Sequence, residues 1–264
     1  MDKLTQMEYN NFPHKIREKI KNFEIKKNSI GKSTANIYQC ISFNENYYLK
    51  IDSKNGELYN EYLSINWLSD KAPVPDIIEW DSDCENDYLL TSKINGLMLC
   101  DDYYLTNPNL AISVLSKGLK LLHSIDINNC KIKNNLDNKL LLAKTNIEKK
   151  LVDINDWEEE TKKLFSSPDL LLEYLYDTKP EEDLVFTHGD YCLPNIFGLG
   201  DEVTGFIDLG RAGISDKWQD IALCIRSLRY NFNSNEYDNL LLGELGIEKD
   251  INKFNYYILL DELF

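Results

Sequence analysis

Apolar residues recur at helical spacing at Ile16, Ile20 and Phe23, so residues 11–23 read as a short amphipathic helix with Pro13 near its start. Strand-forming stretches follow over 23–30, 35–43 and 47–51, and the polar cluster Asn44-Glu45-Asn46 predicts a hairpin between the last two. Residues 57–68 return to a helical pattern, which the A-P-V-P segment at 72–75 ends because proline cannot continue a helix. Two more strands fit 76–80 and 87–92. After the linker K-I-N-G at 93–96 the character changes to helical patterns over 109–124, 136–151, 168–177, 216–230, 234–245 and 250–264. One compact β segment, 184–186, 196–199 and 203–207 with a G-D-E turn at 200–202, interrupts them. The pattern predicts an α+β chain of two lobes, a β-rich lobe over 1–97 and a mainly helical one over 98–264.

Composition narrows the partners. Among 264 residues, 29 basic against 44 acidic side chains give a net charge of −15, which argues against nucleic acid, since phosphate neutralisation needs clustered Lys and Arg. The first 97 residues carry 12 basic and 15 acidic side chains, so 12 of the 15 excess negative charges fall in the second lobe. Surface solvation explains such a bias as well as a cationic partner does. The six cysteines (Cys40, Cys84, Cys100, Cys130, Cys192 and Cys224) form no C-x-x-C pair, and no signal-peptide pattern opens the chain. The expectation is a cytoplasmic protein with reduced thiols, away from membranes, as a monomer or weak dimer.

The chemistry concentrates in V-F-T-H-G-D-Y-C-L-P-N-I-F at 185–197, followed by G-F-I-D-L-G-R at 205–211. Asp190 follows a short strand, Asn195 lies five residues on, and Asp208 closes another strand. Ordinary turn chemistry also uses such residues. The combination matches what phosphoryl transfer needs: Asp190 to orient an acceptor hydroxyl and take its proton, Asn195 and Asp208 to hold a divalent metal. His188 reads as a loop brace and Cys192 as a bystander. In the first lobe, Lys50 ends the strand Y-Y-L-K, and Glu61 in the next helix is its natural partner. The loop I-G-K-S-T at 30–34 has one glycine and is a weak phosphate-loop signal.

H-G-D-x-x-x-x-N, I-D-L-G-R, D-K-W-Q-D-I-A at 216–222 and the tail Y-Y-I-L-L-D-E-L-F resemble the aminoglycoside 3′-phosphotransferases, bacterial antibiotic-resistance kinases. The resemblance implies a protein-kinase-like two-lobe fold, ATP or GTP with Mg²⁺, and transfer of a γ-phosphoryl group to an aminoglycoside hydroxyl. By position, Asp190 matches the catalytic aspartate, Asn195 and Asp208 the magnesium ligands, and Lys50 and Glu61 the phosphate-positioning pair. Tyr48 matches an aromatic that stacks on adenine, Ser92 and Ile94 linker positions that bind the base, and Ser33 the phosphate-loop serine; Tyr48 is equally an ordinary strand aromatic. Thr91 falls behind the base.

For the acceptor, the stretch D-I-N-D-W-E-E-E at 153–160 holds five acids in eight positions. It reads alone as a solvated helix start, and in the family it resembles an acidic loop covering the antibiotic, through Asp156, Glu158, Glu159 and Glu160. Arg211, Glu262 and the Phe264 carboxylate match substrate-facing positions. After R-S-L-R at 226–229, close relatives carry an acidic pair where this chain has Tyr230 and Asn231. Two lost charge contacts of ~0.5–1 kcal/mol each weaken the hold on some polycations. Two alternatives stay open: a kinase of the same fold acting on choline, homoserine or a macrolide, and a nucleotide-binding module without catalysis.

Overall fold

The computed structural model describes residues 9–28, 35–54 and 57–264. The chain divides into two units, one formed by residues 1–96 and 204–211, the other by 97–203 and 212–264.

Among the described residues the first unit contains α1 (His14–Ile20), β1 (Glu24–Asn28), β2 (Asn36–Ile41) and β3 (Asn46–Ser53). Helix α2 (Glu57–Leu68) precedes β4 (Ile77–Ser82) and β5 (Asn86–Ser92). The antiparallel sheet runs β1-β2-β3-β5-β4, so the last hairpin folds back to pair β5 with β3. Inward side chains Tyr38, Cys40, Leu49, Tyr88 and Leu90 form a core with Ile16 and Ile20 of α1, the alternation expected of a half-buried sheet. The predicted hairpin turn is present, with the Ser42 amide donating to the Glu45 carbonyl at 2.8 Å.

Residues 204–211 come from the part of the sequence read as second lobe, yet they pack within the first unit. The Phe206 amide donates to the Pro73 carbonyl at 3.0 Å, and the Thr204 hydroxyl to the Asn95 carbonyl at 2.6 Å. Ile94 fills the space beside Gly205, where an added Cβ would lie 2.4 Å from its side chain.

The second unit contains β6 (Leu97–Met98), α3 (Asp102–Leu105), α4 (Pro108–His123), α5 (Leu136–Glu148), α6 (Glu159–Leu164) and α7 (Pro168–Asp177). Strand β7 (Leu184–Thr187), a 3₁₀ turn at Leu193–Asn195 and β8 (Ile196–Leu199) lead into β9 (Glu202–Phe206). Then come β10 (Gly213–Asp216), α8 (Trp218–Phe232), α9 (Tyr237–Leu245) and α10 (Ile251–Asp261). Local chemistry sets the helix starts: the side chains of Asn135, Ser167 and Asp250 cap α5, α7 and α10, and prolines open α4 and α7. Helix α8 is buried along its length from Trp218 to Ile225 and packs against α10 and α9.

The single β segment expected over 184–207 is instead divided. β7 pairs antiparallel with β10, and β8 pairs with β6. Strand β10 is only four residues long and gave no periodic signal of its own. Among the described residues no helix is long and apolar enough to cross a membrane, and all six cysteines are free thiols.

Candidate active site

In the first unit, β3 puts Lys50 opposite Ile37 and Leu89, with neighbours on both sides. Its ammonium donates to both carboxylate oxygens of Glu61 on α2 at 2.9 Å, and to Asp208 Oδ1 at 2.9 Å. The Lys50 side chain is 17% exposed and Glu61 7%, while Asp208 is 49% exposed. Burial pulls the Lys50 pKa down, but the two carboxylates together outweigh it and hold the ammonium above its ordinary value. Lys50 is therefore a fixed positive charge beside an exposed carboxylate.

Asp208 has φ +61°, a left-handed conformation that is uncommon outside glycine. The turn after it, Leu209–Arg211, lies against α2: Asn60 Nδ2 donates to the Gly210 carbonyl at 2.8 Å, and Arg211 Nε stands 3.6 Å from a Glu57 carboxylate oxygen. Arg211, expected to face an acceptor, is thus turned toward α2. Tyr48 lies on β3 opposite Thr91, half-buried, and burial raises its phenol pKa. The Ser92 amide donates to the Asp76 carbonyl at 2.9 Å, which commits it within the unit, and Ile94 is buried. Ser33 lies outside the described residues.

In the second unit, β7 delivers the chain to His188 and Gly189, whose φ of 87° suits glycine and turns Asp190 out of the strand. Asn195, at the end of the 3₁₀ turn, donates through Nδ2 to Asp190 Oδ2 at 2.9 Å and to the Asp190 carbonyl at 3.0 Å. The five-residue spacing therefore closes a loop on itself and fixes the carboxylate. Below it, Asp220 of α8 is fully buried and accepts from the His188 and Gly189 amides, each at 2.8 Å. His123 Nε2 of α4 lies 3.3 Å from the same carboxylate.

Asp220 carries no assigned role in the sequence pattern, though a lone carboxylate inside the apolar run W-Q-D-I-A-L must be satisfied by buried donors or not be buried at all.

The acidic stretch is tied to the end of the chain. Trp157 is buried and its indole donates to the Glu262 carbonyl at 2.8 Å. Glu262 Oε1 accepts from the Glu158 amide at 2.9 Å and the Thr161 hydroxyl at 3.1 Å, so it serves the start of α6. Burial raises the Glu262 carboxyl above its ordinary value, and these two hydrogen bonds offset part of that rise. Asp156, Glu158, Glu159 and Glu160 are exposed, with Lys162 3.0 Å from Glu159 and Lys163 3.6 Å from Glu160. Phe264, the last residue, follows Leu263, whose carbonyl accepts from Asn146 at 3.0 Å. Arg226 bonds Asp261, and its guanidinium also feels the charges of Glu158 and Asp190. Tyr230 is exposed, and Asn231 folds back to donate to the Ser227 carbonyl at 2.8 Å.

Among the described residues no three His, Cys, Asp or Glu side chains gather as a metal cluster. The expected magnesium ligands are one carboxylate, Asp208, and one amide, Asn195. Asn195 spends its nitrogen on Asp190, which makes its oxygen the atom available to a metal. Each of the two is a hard oxygen donor of the kind Mg²⁺ takes.

The sequence matches the phosphotransferase enzyme family over residues 27–252. It is 38% identical, over 94% of its length and 97% of theirs, to aminoglycoside 3′-phosphotransferases of Enterococcus faecalis and of Staphylococcus aureus. Its fold is similar to the crystal structure of an aminoglycoside-3′-phosphotransferase of type VIII, with a TM-score of 0.84 at 28% identity, covering 95% of this chain and 97% of that one.

Proposed function

The chain belongs to the aminoglycoside 3′-phosphotransferase family, and on that footing we propose that it transfers the γ-phosphoryl group of ATP or GTP to the 3′-hydroxyl of an aminoglycoside, conferring resistance. The observation that carries the reading is the Asp190–Asn195 couple, at the +5 spacing, in a chain alike to those enzymes over nearly its whole length.

Asp190 accepts the proton as the hydroxyl oxygen bonds to phosphorus and the bond to the nucleotide's β-phosphate oxygen breaks. Asn195, bonded to Oδ2, keeps that carboxylate from rotating away. Asp220 holds the backbone of the two preceding residues. Lys50, braced by Glu61 and Asp208, is the cation offered to the nucleotide phosphates. Asp208 and Asn195 would each offer an oxygen to Mg²⁺, which would neutralise phosphate charge. Tyr48, Ser92, Ile94 and Ser33 belong to the nucleotide side of the reading. Asp156, Glu158, Glu159 and Glu160, with Glu262 and Phe264, belong to the acceptor side, where acidic groups attract a polycation; Arg211, beside Glu57, stands outside that group. The enzyme acts in the cytoplasm as a monomer or weak dimer, and nucleic acid and membranes are not its partners.

The test is a coupled nucleotide-consumption assay on an acceptor panel of kanamycin, choline, homoserine and a macrolide, with ATP and with GTP, and product mapping by NMR. Turnover with kanamycin and phosphate on the 3′-oxygen is expected. No stimulation by any aminoglycoside would overturn the reading.

A further inference from the structure

Helix α2 presents Glu57, Asn60 and Glu61 at i, i+3 and i+4, hence on one face. All three are directed to the segment 208–211. Glu61 reaches Asp208 through the shared ammonium of Lys50, Asn60 bonds the Gly210 carbonyl at 2.8 Å, and Glu57 lies beside Arg211. Two of these residues are acids and cannot donate to a carbonyl, so the Asn60 amide is the group on that face suited to the Gly210 oxygen. An asparagine inside a helix is less favourable than alanine, and here its side chain is used on a partner 150 positions away.

The bonded carbonyl lies two residues after Asp208, whose φ of +61° is a left-handed conformation disfavoured for a residue with a Cβ. Such a conformation persists only where its surroundings impose it. The buried side chain of Leu209 anchors the middle of the turn, and Gly210 lets α2 approach, since a Cβ there would stand 3.2 Å from the Glu57 carbonyl. Lys50 secures the Asp208 carboxylate but not its backbone.

We infer that Asn60 is a positioning residue, which fixes the Gly210 peptide and thereby keeps the Asp208 carboxylate presented for metal. The inference rests on the reading of Asp208 as a magnesium ligand. It makes α2 a two-point ruler, reading the carboxylate through Lys50 and the backbone through Asn60.

The decisive variant is Asn60→Ala, because alanine favours the helix and preserves α2 while removing the bond. The probe is Mn²⁺ with the non-hydrolysable analogue AMP-PNP, followed by electron paramagnetic resonance of the full chain, alongside kcat, acceptor KM and the thermal midpoint. Mn²⁺ affinity is expected to fall about tenfold and kcat with it, while acceptor KM and thermal midpoint stay at wild-type values. Asn60→Gln, which keeps the amide, should recover part of the loss. Mn²⁺ affinity and kcat within twofold of wild type would overturn the inference. So would a collapse of the thermal midpoint in both variants, which would assign Asn60 a structural role. Asp208→Ala separates the two ideas. If it leaves Mn²⁺ affinity intact, the metal reading fails and this inference with it; if it abolishes binding while Asn60→Ala changes nothing, only the inference fails. In the double variant Asn60→Ala should add no further loss, and an additive loss would overturn the coupling.

Discussion

The Lys50–Glu61–Asp208 cluster is held by charge, whereas the Asp190 loop is held by neutral amides and by main-chain donors on one buried carboxylate. The first has an exposed member and an ammonium already shared between two acids, so an incoming anion competes with Asp208 for Lys50. The second is set in the interior: Asn195 is 7% exposed and Asp220 fully buried, so its geometry is made by the fold rather than by a ligand. Charge gives a site that responds to its ligand, and hydrogen bonds to buried groups give one that waits for it.

The comparison is broken or sharpened by a graded set of variants. Asp190→Ala should lower kcat about a thousandfold with little loss of thermal stability, since Asn195 keeps its bond to the carbonyl of residue 190. Near-wild-type turnover in the coupled assay would remove Asp190 from the chemistry. Lys50→Ala should cost about a hundredfold in kcat/KM for the nucleotide and little in KM for the acceptor. An equal loss on the acceptor side would mean that the charged cluster serves both substrates. Asp220→Asn, which keeps an acceptor for one amide but sets an NH2 donor against the other, should lower kcat about tenfold and leave both KM values near wild type. A change confined to KM would contradict its role beneath the loop.

Salt should act on the acceptor side. Raising ionic strength from about 0.05 to 0.5 M is expected to raise the acceptor KM several-fold, because exposed acids at 156–160 attract a cation through screened solvent. An acceptor KM flat with salt would deny them that role. The smallest effect concerns Glu262. Its carboxyl is raised by burial, so the folded state holds that proton more tightly than the unfolded chain. The stability it contributes is therefore fully present below the unfolded pKa, near the ordinary glutamate value, and fades as pH rises through the raised folded value. Urea midpoints compared across pH 4–7 should show Glu262→Gln losing this decline. Parallel curves for the two proteins would show that Glu262 does not titrate differently on folding.

Much of this arrangement was legible from local pattern. The helix at 168–177 falls at the predicted residues because the Ser167 cap, Pro168 and apolar spacing agree there, and the one at 57–68 because its apolar spacing stops before the prolines at 73 and 75. Lys50 and Glu61 were paired from their positions on a strand and the following helix, and they are bonded at 2.9 Å. What escaped notice depends on partners distant in sequence. Strand β10 exists because Gly213–Asp216 meets β7, a pairing with no local signature. Glu262 reads as a polar terminus until the start of α6 folds against it and the Glu158 amide donates to its carboxylate. Arg211 carries no mark that distinguishes a ligand from the nearby Glu57. The magnesium and acceptor assignments concern groups whose partners lie outside the polypeptide, so no internal contact marks them.

The return of residues 204–211 to the first unit has a consequence for synthesis. A ribosome that has released the first 97 residues has not yet supplied Thr204, Gly205 and Phe206, which bond Asn95 and Pro73 and pack on Ile94. The first unit is therefore completed only after most of the second has been made. At about 5–20 residues per second, the 114 residues from 98 to 211 take roughly 6–23 s to emerge. Through that interval the nascent β-rich unit lacks Asp208, and Lys50 has only Glu61 of its two acids.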